Sequence, residues 1–341
     1  MRSSRKMPRI IAVSMGDPAG IGAEVILKAA AKLDERRNPP TLLILGDLGV
    51  MHATAKRLRS VPQPIEWQPA GGLTPRGAGL GVISISKLPA RAIVPGRPSV
   101  AGGAAAYDYI VAGAKMAMSG EADALVTAPI SKEWMNRAGH HFPGHSELLA
   151  KLGRARNWRM MFAGGELRLA LVTVHMGLAK VSAALTQQRV LDTIRLLAEH
   201  LRTRLRIARP RIGVLGFNPH AGEHGMFGDE EVRVISPAIR RARRAGIDAF
   251  GPLAPDTAFI RPAGRFNFDA AVAMYHDQGL IPLKTIEFDR AVNVTLGLPF
   301  VRTSPDHGTA FDIAGKGVAN PSSMIAAIEY AAQAASRGAL R

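Results

Sequence analysis

The sequence contains no cysteine, an absence that removes disulfides and thiolate metal ligands together. Any metal must then be held by histidine and carboxylates, which points away from closed structural zinc and towards an open, exchangeable site. Aromatic residues are scarce at 5%, too few for the stacking surface that single-stranded nucleic acids need. No apolar run approaches the roughly 18–20 residues of a membrane helix. The opening MRSSRKMPRIIAVS offers only residues 10–13 as an apolar stretch, too short for a signal-peptide core, so a cytoplasmic protein outside the membrane is expected. Acidic residues are also few, 27 against 44 Lys and Arg, which leaves a net charge of +17. The arginines are spread along amphipathic segments, as between Arg189 and Arg211, and read as solvated helix faces more than as a nucleic-acid track. An Arg-rich nucleic-acid binder stays open as the reading from a different class, which a salt-dependent gel shift would reveal. A positive field also steers small anions.

What the chain does have is enough apolar material for a sizeable core. Its 341 residues are 47% apolar and 21% charged, and a single core stops growing near 250–300 residues, so two lobes are expected. Strands are predicted at 10–14, 42–45, 82–85, 124–127, 169–174, 212–215, 270–274 and 292–296, with helices at 21–33, 104–118, 180–204, 230–245 and 322–335. That alternation argues for an α/β fold with largely parallel or mixed sheets. The Pro/Gly-rich stretch 69–81 reads as a loop or hairpin region.

Three histidines follow apolar runs: His175 after LALVTV, His220 after IGVLGFNP and His276 after AAVAMY. Ligands of open α/β sheets bind outside the carboxyl ends of strands. Three such strands could therefore bring the imidazoles to one metal, despite gaps of 45 (220 − 175) and 56 (276 − 220) residues. The alternative is three histidines each bonded to its own loop. The stretch 274–317, which includes His276, holds two His and two Arg, with Lys284 and Lys316, between apolar runs such as AVNVTLGL. Cations crowded at a sheet end are costly unless anions or metal chemistry neutralise them. A metal and a phosphorylated or carboxylated small molecule are the expected ligands.

GDPAGIG (16–22) follows the first strand and opens a helix, where free N–H groups face outward for an anion. It lacks the Gly-Lys-Ser/Thr of a P-loop and the G-x-G-x-x-G spacing. Ser146 is positioned to cap a helix starting at Glu147. Asp256 lies in a Pro-flanked loop and Asp277 stands beside His276, each open to a turn or salt-bridge role as well as a site role.

YHDQG (275–279), PLK (282–284), VNVTLGLPF (292–300), RTS (302–304), DHGTA (306–310), NPHAGE (218–223) and GDPAGIG together resemble the 4-hydroxythreonine-4-phosphate dehydrogenase family of vitamin B6 synthesis. The resemblance implies the two-lobed α/β fold of isocitrate and isopropylmalate dehydrogenases, with the site in the cleft. The expected lobes are 1–130 plus 290–341, and 131–289 with the dimer interface. It implies a homodimer whose metal site draws on both subunits, with His175, His220 and His276 on one zinc, magnesium or cobalt ion. By the same resemblance His145, Ser146, Lys284, Asn293 and Arg302 contact substrate, and NAD or NADP is the oxidant. Family members usually carry His-Thr where this chain has His145-Ser146, a loss of one methyl. The implied reaction oxidises 4-phosphooxy-L-threonine and decarboxylates the product, with Lys284 the candidate for proton transfer. A sister dehydrogenase acting on D-threonate or D-erythronate 4-phosphate is the alternative.

Overall fold

A computed structural model describes residues 9–67, 79–89 and 93–335; the basic opening 1–8 and most of the predicted 69–81 loop lie outside them. Its strands are β1 (Ile10–Ser14), β2 (Thr41–Asp47), β3 (Pro64–Glu66), β4 (Leu80–Ser86), β5 (Ala124–Thr127), β6 (Arg159–Ala163), β7 (Arg168–Leu171), β8 (Ile212–Leu215), β9 (Ala249–Leu253), β10 (Ala270–Ala273), β11 (Val292–Leu296) and β12 (Val301–Pro305). They belong to two compact units. The first takes the described residues of Met1–Ala155 and Leu298–Ala339, the second those of Arg156–Gly297.

In the first unit the strands run β3-β4-β2-β1-β5-β12, every neighbouring pair parallel. A parallel strand is covered on both faces, so its sequence should be apolar without alternation. Ile11, Ala12 and Val13 of β1 and Ala124, Leu125 and Val126 of β5 are fully buried, as that rule requires. The helix Gly22–Asp34 covers the sheet with Val25, Ile26, Leu27 and Ala29, and Val100–Ser119 does so with Ala105, Ala106, Tyr109 and Ile110. Ser99 caps the second of these, accepting the Gly102 N–H at 3.1 Å.

In the second unit the order is β11-β6-β7-β10-β8-β9. The pairs β11–β6 and β6–β7 are antiparallel and the rest parallel, so this sheet is mixed. Its core gathers Met160, Phe162, Leu169, Leu171, Leu215 and Phe268. The predicted 180–204 helix is broken at Leu185 and Thr186; Thr186 accepts the Arg189 N–H at 3.2 Å and starts a new helix, Gln187–Thr203. Val190, Ile194, Leu197 and Leu201 form its buried stripe at helical spacing. No helix among the described residues is long and apolar enough to cross a membrane.

Candidate functional site

The strands β7, β10 and β8 are adjacent and parallel, so their carboxyl ends share one edge of the second unit's sheet. Beyond that edge the chains after β7 and β10 stay joined: Val172 N–H donates to the Ala273 carbonyl at 2.9 Å, and the Thr173 hydroxyl to the Met274 carbonyl at 2.7 Å. The continued pairing carries His175 and His276 out together, with ring centroids 5.9 Å apart. Gln278, buried, ties in the third strand end. Its Oε1 accepts the Met274 N–H at 2.6 Å and its Nε2 donates to the Gly216 carbonyl at 2.7 Å. Sequence reasoning passed over Gln278, although it sits inside the YHDQG run.

His276 opens the helix His276–Glu287, and its Nδ1 donates to the Asp277 carboxylate at 2.6 Å. That bond orients the ring with Nε2 facing away from the carboxylate, the arrangement in which a carboxylate orients a metal-binding imidazole. His220 is held differently. It lies in the turn Pro219–Gly225, where five consecutive residues from His220 to His224 have φ between 38° and 82°. Four of them carry side chains, and each such left-handed residue costs about 1–2 kcal/mol. His220 Nδ1 stands 3.9 Å from Asp256 Oδ2. Among the described residues of one chain, no three His, Asp or Glu gather closely enough to hold a metal ion. Within one chain the rings of His175 and His276 approach each other, and no cluster of three such donors forms among the described residues.

The first unit carries the buried cation. Arg302, on β12, is 2% exposed, and its Nη2 donates to Thr127 Oγ1 at the end of β5 at 2.6 Å. Burial lowers its pKa to about 9, with Glu147 opposing the shift, so the guanidinium stays charged at neutral pH. His145 is held well below the usual imidazole value by burial, then by the positive charges of Arg302 and Lys132. A bond to the Ala128 backbone opposes that shift, and Nε2 is buried without a hydrogen-bond partner. A neutral imidazole with a bare nitrogen accepts a proton-bearing ligand group. Ser146 is buried beside it in the helix His145–Leu152. The predicted capping role fails: the helix begins two residues earlier than expected, with Gly144 at the cap and no side-chain bond there.

Two further groups, both missed in the sequence, lie where β1 ends. Ser14 Oγ and Asp17 Oδ2 are buried without partners, and burial raises the Asp17 pKa against the pull of its Ala19 hydrogen bond. The signal was available in GDPAGIG, an acid set into an otherwise apolar strand and turn. In the second unit, Asn293 Oδ1 on β11 is likewise buried without a partner, and Lys284 Nζ lies 5.9 Å from the centre of the Phe288 ring.

Comparison with known proteins adds a separate line of support. The family model described as pyridoxal phosphate biosynthetic protein PdxA matches residues 38–331. The chain is 48% identical over 337 residues, 97% of each chain, to the 4-hydroxythreonine-4-phosphate dehydrogenase of Desulforapulum autotrophicum. It is 41% identical to the D-threonate 4-phosphate dehydrogenase of Pectobacterium atrosepticum, covering 96% of this chain and 100% of that one. A crystal structure of the Klebsiella pneumoniae 4-hydroxythreonine-4-phosphate dehydrogenase superposes with a TM-score of 0.86 at 39% identity, covering 98% of this chain and 100% of that one.

Proposed function

The chain belongs to the pyridoxal phosphate biosynthetic protein PdxA family, and from that membership we propose that it is an NAD-dependent 4-hydroxythreonine-4-phosphate dehydrogenase requiring a divalent metal. NAD, when bound, would accept hydride from C3 of 4-phosphooxy-L-threonine as the hydroxyl gives up its proton, leaving the 3-oxo acid. Loss of carbon dioxide, with a proton taken up at C2, would then yield 3-amino-2-oxopropyl phosphate. The observation that carries the reading is the His175–His276 pair, 5.9 Å between rings, with Asp277 orienting the second imidazole.

That donor set fits a borderline divalent ion such as zinc or cobalt, because it offers imidazole nitrogens in a chain without thiolates, and suits magnesium less, since that hard ion prefers oxygen ligands. A bound ion would acidify the substrate hydroxyl and polarise the ketone. His220 completes the set when a second copy of the chain supplies it. The second unit's exposed apolar side chains support such a homodimer: Met226 is 74% exposed, Ile260 62%, Ile281 65% and Phe288 70%. The chain's own residues do the rest. Arg302 binds an anionic end of the substrate as a fork, and Ser146 and Asn293 hydrogen-bond to it. His145 accepts from a hydroxyl or ammonium of the substrate. Lys284 is the candidate for taking up the hydroxyl proton.

A second reading keeps every one of these groups and changes the substrate to a sugar-acid phosphate; its support is the 41% identity to a D-threonate 4-phosphate dehydrogenase. NADH formation with purified protein separates the two. We expect turnover to favour 4-phosphooxy-L-threonine over D-threonate and D-erythronate 4-phosphates, to stop on chelation and to return with a divalent ion. A preference for a sugar-acid phosphate selects the second reading, and full activity after chelation removes the metal from both.

A further inference from the structure

We propose that Glu231 is a positioning residue, which holds the left-handed turn Pro219–Gly225 in the conformation that presents His220. The inference rests on the metal reading above. A run of four side-chain-bearing residues at positive φ persists only where its surroundings over-determine it. Here one carboxylate fixes the chain where it enters the turn. Glu231 is 3% exposed, and its Oε1 accepts the backbone N–H groups of Phe217 and Asn218 at 2.6 and 2.7 Å. Its Oε2 accepts from the Asn218 side-chain amide at 2.9 Å. Glu230 Oε2 also accepts from that amide, at 2.7 Å, while Glu230 Oε1 accepts from the Ser182 hydroxyl at 2.5 Å.

The turn is shaped to admit the carboxylate. A Cβ on Gly222, which has a φ of +82°, would lie 2.6 Å from Glu231 Oε2, and one on Gly216 would lie 3.1 Å from Oε1. At Gly222 the carboxylate is the nearest obstacle, whereas at Gly216 a side chain would meet Ala221 first, 2.8 Å from its Cα. All three of its bonds come from donors, so only a group that accepts at both oxygens satisfies them. Glutamine would turn an amide against the Asn218 amide and lose one of the three. The carboxylate faces inward, onto the segment that joins β8 to His220. Its effect on a metal is therefore exerted through the direction in which His220 leaves the turn. Residues behind a ligand typically change metal affinity by about 10–100-fold when altered.

The test is cobalt(II) binding to the full-length protein by equilibrium dialysis, without substrate or NAD. We expect Glu231→Gln to weaken binding by about 10- to 100-fold, and His220→Ala to weaken it at least as much. The double variant should bind no more weakly than His220→Ala alone. A variant acting through general loss of structure would weaken binding in the His220→Ala background too, so additive losses overturn the positioning role. Gly222→Ala, which intrudes on the carboxylate without removing it, should reproduce the loss and replaces Glu231→Gln if that variant does not fold. Wild-type affinity in Glu231→Gln or in Gly222→Ala, with loss in His220→Ala, overturns the clamp and leaves the metal reading standing. Wild-type affinity in His220→Ala overturns the metal reading, and the clamp with it.

Discussion

Arg302 is the buried arginine of the first unit among the described residues. Its pKa is lowered to about 9 by that burial, and Glu147 is the acid that counters the shift. A guanidinium in that setting is poorly solvated, and a bound carboxylate or phosphate would replace much of its lost hydration. Lysine keeps the charge and loses the fork and the reach to Thr127. On the proposed function, Arg302→Lys should raise KM for the phosphorylated substrate about tenfold or more, a loss of about 1.4 kcal/mol, and leave KM for NAD within about twofold. Steady-state kinetics with each substrate varied in turn provides the check. Equal weakening of both would separate Arg302 from substrate recognition.

Elements marked by an apolar run are the ones the sequence displays; elements whose polar side chains are held by a distant partner are not. β1 and β5 were legible because both are uninterrupted apolar runs, buried on both faces. β12 (VRTSP) was hidden by its Arg and Ser, both buried, with Arg302 donating to Thr127, 175 residues away. β6 begins with Arg159, which is satisfied by Thr193 and Asn157, and the helix His276–Glu287 was masked by its polar start and by Pro282. The His175–His276 approach was legible in outline, since both follow apolar strands. The left-handed turn that carries His220 was not, because nothing in PHAGEHG points to Glu231 beside it. Glu287 works in the same way at the other end of that helix. It accepts the N–H groups of Gly165, Glu166 at 2.8 Å and Leu167 at 3.2 Å, holding the turn between β6 and β7. Glu287→Ala should lower stability by about 1–2 kcal/mol, the lower part of the usual range because these donors are partly solvated. Urea unfolding measures it, and an unchanged midpoint would mean that water replaces the carboxylate at no cost.

For the whole molecule, a net charge of +17 makes acid the stressful direction, since every added proton increases self-repulsion. Two histidines sharpen that stress. His200, in the helix Gln187–Thr203, is pushed down to about 3 by burial and then by the nearby charges of Arg204 and Arg168. His145 is displaced in the same direction. Both are neutral in the folded protein at pH values where the unfolded chain, with ordinary imidazoles near 6.5, takes up protons. The unfolded state therefore binds more protons below about pH 6.5, and stability falls as pH falls. The His200 contribution continues to be lost down to its folded value of about 3. At about pH 5 the deficit from His200 alone is about 1.5 × 1.36, or roughly 2 kcal/mol. His200→Gln removes the titrating group and should reduce the drop in the urea midpoint between about pH 7.5 and pH 5 by a corresponding amount, leaving the His145 share in place. Parallel drops in the variant and the parent would mean that His200 takes up its proton in the folded state, with the charges of Arg204 and Arg168 screened from it.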